Sequence, residues 1–181
     1  VRKKQHPLKY LKVDAGFFNG QGINASGDFD NTKDFIGRVS LKPIALSKSL
    51  FFSAGASMLN GGLMNNTKYI YITRSEAGIK KQVLDSAAEN AGKTSPRKYY
   101  GVDAQLKIKN KKGYTELRAE LVTGTQTGTV LSSETPVALL SGLNGFYQRK
   151  FTGGYCYLLQ HLFSVKHQLV LKYDFYDPNH N

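Results

Sequence analysis

YGVDAQLKI, residues 100–108, shows the clearest pattern in this sequence of 181 residues. Apolar or aromatic side chains fill every second position, and polar residues or glycine fill the positions between them. Successive side chains of a β-strand point to opposite faces, so this period of two predicts a strand with one apolar and one polar face. The polar segment 110–113 follows and predicts a hairpin into another alternating strand at about 116–121.

The same alternation recurs along the chain and predicts about seven strands in all. Pro43 is expected to end the second strand, because proline cannot donate a hydrogen bond to a strand ladder. Cys156, the single cysteine, is expected to be a buried small apolar residue. The other predicted strands cover about 11–18, 35–42, 51–58, 146–160 and 168–176. The aromatic residues predicted near an end of the apolar face are Phe17, Phe35, Tyr100, Tyr155 and Phe175.

The connections between the predicted strands alternate in length. Outer-membrane barrels have short periplasmic turns and longer extracellular loops, so this alternation favours a membrane barrel. One long connection has Ile79, Val83, Leu84 and Ala87 at helical spacing, which predicts a short amphipathic helix there. The long connections are 19–34, 60–98 and 124–145, and the short ones are 43–49, 109–113 and 161–166.

The composition is compatible with a membrane barrel and with a soluble protein. Apolar residues make up 40% of the chain without a run of 18, which excludes a transmembrane helix but not a barrel, whose strands average out as hydrophilic. A soluble β-sandwich alternates in the same way. The loop lengths, the aromatic residues and the mid-strand charges together favour the barrel. Seven strands cannot complete a single-chain bacterial barrel, so residues 1–181 are predicted to be a single partial barrel domain, truncated at both ends.

Five stretches stand in order along the chain: KYLKVDAGFFNG at 9–20, KDFIGRV at 33–39, ELRAELVTG at 116–124, FTGGY at 151–155 and LVLKYDFYDPN at 169–179. Together they resemble the phosphate-selective porin family, the O and P porins, in forms found in Bacteroidetes-type bacteria. The resemblance implies an all-β fold, a transmembrane antiparallel β-barrel with an even number of strands, about 16. It also implies a homotrimer in the bacterial outer membrane that passes small anions such as phosphate.

In such a barrel the polar face of each strand lines a channel for the passive diffusion of small solutes. Basic residues on that face would raise the local anion concentration and lower the barrier to entry. The alternative is that acidic neighbours balance them, so that the wall has no selectivity. The predicted pore-lining residues are Lys12, Arg38, Lys42, Lys107, Arg118 and Lys172, together with Asp14, Asp103, Glu116, Glu120 and Asp174.

The long connections are a second candidate site. In the porin family, selectivity comes from arginines on the wall and from an infolded loop, whereas segment 124–145 of this chain has Glu134 as its single charged residue. Connection 60–98 is basic, which would gather anions at the channel mouth or bind phosphates of lipopolysaccharide; a solvated loop helix explains the same charges. Its basic residues are Lys68, Arg74, Lys80, Lys81, Lys93, Arg97 and Lys98.

The formal net charge of +12 suits an anionic partner. No metal, cofactor or enzymatic activity is expected, because the four histidines lack ligand spacing and no P-loop, dinucleotide fingerprint or nucleophile elbow is present. Nucleic acid is not an expected partner. The competing hypothesis is a soluble β-rich protein that binds an anionic polymer through a basic face.

Overall fold

A computed structural model describes residues 6–21, 25 and 27–180 of the chain. This part is all-β and forms a single sheet of nine strands, with two short 3-10 turns at Pro7–Tyr10 and Ala88–Asn90. Among the described residues, no helix is long and apolar enough to span a bilayer. The strands are β1 (Leu11–Asn19), β2 (Lys33–Ala45), β3 (Leu50–Met64), β4 (Ile70–Glu76), β5 (Ile79–Asp85), β6 (Thr94–Asn110), β7 (Gly113–Gly128), β8 (Phe146–His161) and β9 (Gln168–Asp177).

Seven long strands form an antiparallel meander in the order β1-β2-β3-β6-β7-β8-β9. The β4–β5 hairpin joins it at β8, where Ile70 and Ile72 of β4 pair in parallel with Phe146 and Gln148. Beyond that point β9 takes over as the neighbour of β8, from Thr152 onwards. Within the described residues, β1 and β9 each pair on one side and are the edges of the meander.

Two faces follow from the cross-strand register. We define the apolar face by one row of directly opposed residues and the polar face by the adjacent row. The apolar row is Leu11, Leu41, Ala54, Ala104, Ala119, Cys156 and Tyr173, and the polar row is Lys12, Ser40, Gly55, Asp103, Glu120, Tyr155 and Asp174.

The distribution of burial is the reverse of that in a soluble globular protein. Large apolar side chains on the apolar face are solvent-accessible, with Val13 at 63%, Phe17 at 75% and Tyr173 at 69% exposure. Several polar and charged side chains are buried instead, among them Asp34 at 2% exposure. The buried apolar residues of the described part are Leu63, Ile70, Phe146 and Phe151. Soluble globular proteins bury most of their large apolar side chains, so an uncovered apolar face of this extent is unusual for one.

The predicted alternation of long and short connections is confirmed. In the meander, the connections from β1 to β2, from β3 to β6 and from β7 to β8 are long, and those from β2 to β3, from β6 to β7 and from β8 to β9 are short. Because the meander is antiparallel, all long connections lie at one end of the sheet, which we call the long-connection end. Part of the predicted 19–34 connection lies outside the described residues.

The predicted helix within 60–98 is wrong. β3 extends to Met64 and β6 begins at Thr94, with the β4–β5 hairpin between them, and this raises the strand number from seven to nine. The hairpin turn is Ala77–Gly78, where φ is +51° and +79°. Positive φ at both central residues gives a tight turn whose twist matches that of paired strands, which explains why Ile79, Val83 and Leu84 form a strand.

Three smaller predictions are also wrong. Pro43 does not end β2, because the strand passes it through a register shift between Leu41 and Ile44 that leaves the proline outside the ladder. Tyr155 lies on the polar face, opposite Glu120. Cys156 is exposed rather than buried, because its side chain projects from the uncovered apolar face.

Gly113 provides a test of the β6–β7 hairpin. Its φ is +138°, and a Cβ there would collide with the ring of His161, whose Nδ1 accepts a hydrogen bond from the Tyr114 N–H at 2.9 Å. Gly113→Ala should lower the free energy of unfolding by about 1–3 kcal/mol, because the new side chain strains the backbone. Denaturant titration measures this, with Gly27→Ala as a control because, among the described residues, no atom lies within 4 Å of its added Cβ. Equal stability of the two variants would contradict this account of the turn.

Candidate functional site

The charged residues predicted to line a pore share the polar face. By register they alternate with the apolar row along β1, β2, β6, β7 and β9. Lys42 is the exception. It lies between Leu41 and Ile44, where the register of β2 shifts, and its side chain is exposed. The residues brought together on the polar face are Lys12, Asp14, Arg38, Asp103, Lys107, Glu116, Arg118, Glu120, Lys172 and Asp174.

An ion pair between Arg38 and Asp103 crosses β3, the strand that separates them. Arg38 Nη2 lies 2.7 Å from Asp103 Oδ2. Gly55 of β3 lies beneath this contact, and a Cβ there would come within 2.6 Å of Asp103 Oδ2. The glycine therefore leaves the space in which the two side chains meet.

Glu116 is the centre of a second group of charges. Its side chain is 8% exposed and accepts hydrogen bonds from Arg118 Nε and Gln105 Nε2, with Lys107 Nζ at 3.7 Å. The ammonium of Lys107 also lies 4.0 Å from the centre of the Tyr114 ring. Each cation of this group therefore has an acidic or aromatic neighbour within the sheet.

The remaining polar-face charges are paired in the same way. Lys12 lies 2.7 Å from Asp14, and Lys172 forms an ion pair with Asp174. The Tyr155 hydroxyl donates to Glu120 Oε2 at 2.7 Å. The polar face is thus a network of alternating charges rather than a continuous basic stripe.

A buried ion pair between Asp34 and Arg97 anchors the long-connection end. The Asp34 and Arg97 side chains are 3% and 8% exposed. Arg97 Nη2 also donates to the Gly20 carbonyl at 2.5 Å, and Nη1 donates to Thr135 Oγ1 at 2.6 Å. Arg97 of β6 therefore joins β2 to the connections that follow β1 and β7.

Further buried polar side chains continue from this pair. The Gly62 N–H donates to Asp34 Oδ1 at 3.3 Å. Ser95 Oγ donates to Asn65 Oδ1 at 2.6 Å, and Asn65 Nδ2 donates to the Asn90 carbonyl at 3.1 Å. These bonds attach both ends of the 65–93 connection to the sheet.

The basic residues of 60–98 do not form one loop cluster. Arg97 and Lys98 belong to β6. Arg97 is buried, which contradicts the prediction that it is accessible to anions. Arg74 lies in β4, and Lys68 and Lys93 flank the hairpin. Of the two lysines in β5, Lys80 donates to the Asn179 carbonyl at 2.6 Å, and Lys81 lies 3.9 Å from Glu76.

Two carboxylates in the long connections have lowered pKa values. The side-chain hydrogen bond from Lys33 is the largest cause that lowers the pKa of Asp28. A hydrogen bond from the Ala87 N–H at 3.0 Å is the main cause that lowers the pKa of Asp85. Both residues are solvent-accessible, so these bonds fix loop geometry rather than create a reactive group.

Among the residues that the structure covers, no group of three potential metal ligands lies together. No protein-family model, curated protein or solved structure matches this chain. The resemblance to the O and P porins therefore remains a prediction based on the five sequence stretches.

The buried and the exposed ion pair should respond differently to loss of the arginine. Arg97→Met leaves the Asp34 carboxylate buried without its cation and should cost about 3–5 kcal/mol of unfolding free energy. Arg38→Met is the matched control, because its side chain is 41% exposed and its partner is accessible to water. The control should cost about 0–1 kcal/mol in denaturant titration. Equal losses would show that Arg97 does not hold the long-connection end together.

Proposed function

We propose that this chain forms part of the wall of a bacterial outer-membrane porin, a passive diffusion channel for small solutes that prefers anions such as phosphate. One observation carries the proposal. The sheet leaves one face apolar and uncovered while it gathers its charges on the other face. A membrane barrel needs this arrangement, with lipid outside and water inside.

The apolar face has the length and the ends expected for a membrane crossing. On β6 it runs from Tyr100 to Ile108, nine residues, and a tilted transmembrane strand needs about 9–11. Lys98 precedes this segment and Asn110 follows it on the same face. In lipid, the exposed apolar side chains would lose the unfavourable contact with water that they have in a soluble sheet.

Within the described part of the chain, β1 and β9 each have one edge without a partner strand, which favours a closed assembly. Unpaired strand edges are costly in lipid, because their N–H and C=O groups find no partner there. In our proposal further strands close the barrel, to the 16 strands and the homotrimer that the family resemblance implies. The long connections would face outwards, where lipopolysaccharide is the expected neighbour.

The β7–β8 connection bears on the channel width. Thr135 of this connection accepts a hydrogen bond from Arg97, whose side chain belongs to the polar face. Arg149 donates to the carbonyls of Thr129 and Val130 in the same connection. In a closed barrel these contacts would draw residues 129–145 over the channel.

The competing soluble function has weaker support. Binding of an anionic polymer needs a basic surface that the polymer can follow. The polar face instead places Asp103, Glu116 and Glu120 among its cations. A soluble protein would also leave the apolar face without a covering layer.

Ion selectivity tests the proposed function. Full-length protein in planar bilayers under a salt gradient should give reversal potentials that favour anions, as the family resemblance implies. The acidic side chains on the described polar face balance its cations, so in our proposal the net preference comes from the basic long connections and the further strands, and single wall cations such as Lys107 modulate it. Lys107→Gln should reduce the anion-to-cation permeability ratio by up to about threefold, since a unit charge about 7 Å from an ion in water contributes about 0.6 kcal/mol.

Lys48→Gln is the control, because Lys48 lies in the short connection between β2 and β3. It should leave the reversal potential unchanged. A zero or cation-favouring potential in the unmodified protein would contradict the anion preference. Absence of any conductance would contradict the channel itself.

A further inference from the structure

A basic cavity opens between β4 and β8 near the long-connection end. Its volume is about 570 Å³, within the usual range of ligand pockets. Arg74, Arg149 and Lys150 line it, together with the polar side chains of Thr125 and Gln148. None of its described lining residues is acidic.

The register places this cavity at the border of the apolar face. Lys98, Thr125 and Lys150 lie opposite one another in a single row across β6, β7 and β8. Neighbouring strands are about 4.8 Å apart, so the Cα atoms of the two lysines lie about 10 Å apart. The long side chains of both can therefore reach one bound group.

Along the apolar face, away from the long-connection end, the next rows change from polar to apolar. The next row along the apolar face is Tyr100, Thr123 and Thr152, and the row after it is Val102, Leu121 and Gly154. Val102 and Leu121 are 56% and 45% exposed. A basic row, a hydroxyl row and an apolar surface thus follow one another over a few residues.

The charges at the cavity differ from those on the polar face. In the described part of the chain, no carboxylate forms an ion pair with Arg74, Lys98 or Lys150. Arg149 Nη2 donates to the Thr129 carbonyl at 2.8 Å, while Nη1 is buried without a partner. The Arg74 guanidinium also helps to lower the pKa of Asp85, so Arg74 is partly compensated, whereas the lining of the cavity itself has three cations and no acidic residue among the described residues. This excess of positive charge favours an anionic ligand, and arginine and lysine are the side chains that usually bind phosphate.

We propose that the cavity binds the phosphate group of an amphiphile whose acyl chains lie along the apolar rows below it. The proposal rests on the proposed function, because it requires that the apolar face contacts lipid. A free phosphate ion would use the cations alone, whereas an amphiphile would use the cations and the adjoining apolar surface. The graded rows favour the amphiphile.

Lipid binding to the full-length protein in uncharged detergent micelles tests the proposal. Native mass spectrometry would count bound dioleoylphosphatidic acid, with dioleoylphosphatidylcholine as the zwitterionic comparison. Arg74→Gln/Lys150→Gln should weaken phosphatidic acid binding at least about tenfold, a change equivalent to about 1.4 kcal/mol at 25 °C. Lys111→Gln/Lys112→Gln removes the same charge from the β6–β7 turn, at the opposite end of the sheet, and should leave binding unchanged.

A charge-conserving variant separates loss of the site from loss of folding. Arg74→Lys/Lys150→Arg should keep phosphatidic acid binding within about threefold of the unmodified protein, a difference below about 0.7 kcal/mol. Inorganic phosphate in hundredfold excess should not displace the lipid. Displacement by inorganic phosphate, or equal loss of binding in the two glutamine variants, would overturn the proposal.

Conductance distinguishes this proposal from the proposed function. The Arg74→Gln/Lys150→Gln variant should conduct like the unmodified protein, because Lys150 shares an apolar-face row with Lys98 and Thr125 and Arg74 lies in β4, outside the meander. An unmodified protein that conducts but does not prefer phosphatidic acid would overturn the lipid site alone. An unmodified protein that binds the lipid but does not conduct would overturn the channel alone.

Discussion

The cross-strand register is the constraint on which the rest of this structure depends. Because side chains alternate along each strand, a slip of one residue in any pair would move that strand's apolar set to the other face. Seven strands are instead aligned so that Ala54, Ala104, Ala119 and Cys156 lie in one row and Gly55, Asp103, Glu120 and Tyr155 lie in the next. The ion pairs of the polar face and the uncovered apolar face both follow from this alignment.

The long-connection end is held by polar contacts in place of an apolar core. Asp34, Arg97 and Ser95 are almost inaccessible to solvent, and Arg97 contacts residues from three separate parts of the chain. A buried ion pair contributes little net stability compared with apolar packing, but removal of one partner is costly. The pair therefore specifies how the long connections sit on the sheet. In the proposed porin, these connections surround the channel mouth.

The strands can be predicted from the sequence because their alternation is local. The wrong predictions lie where contacts between residues distant in sequence decide the structure. β8 has aromatic or apolar residues on both faces, so its own sequence does not show which face is polar. The pairing of Tyr155 with Glu120 assigns Tyr155 to the polar face. Arg97 looked like a loop cation because its partner Asp34 is 63 residues away. The sequence does not predict the β4–β5 hairpin, because the positive φ of Ala77 is unusual for alanine and because the apolar residues of β5 have helical spacing.

The central claim is that the apolar face contacts lipid and the polar face contacts water. Cys156 tests it directly, because this single cysteine is exposed in the middle of the apolar row. A fluorophore on Cys156 of the full-length protein in vesicles should be quenched by lipids brominated in the acyl chain and shielded from aqueous iodide. The same fluorophore on Ser53→Cys, in a Cys156→Ser background, should show the opposite behaviour, because Ser53 lies on the polar face. Iodide quenching at Cys156 without quenching by the brominated lipids would contradict the account.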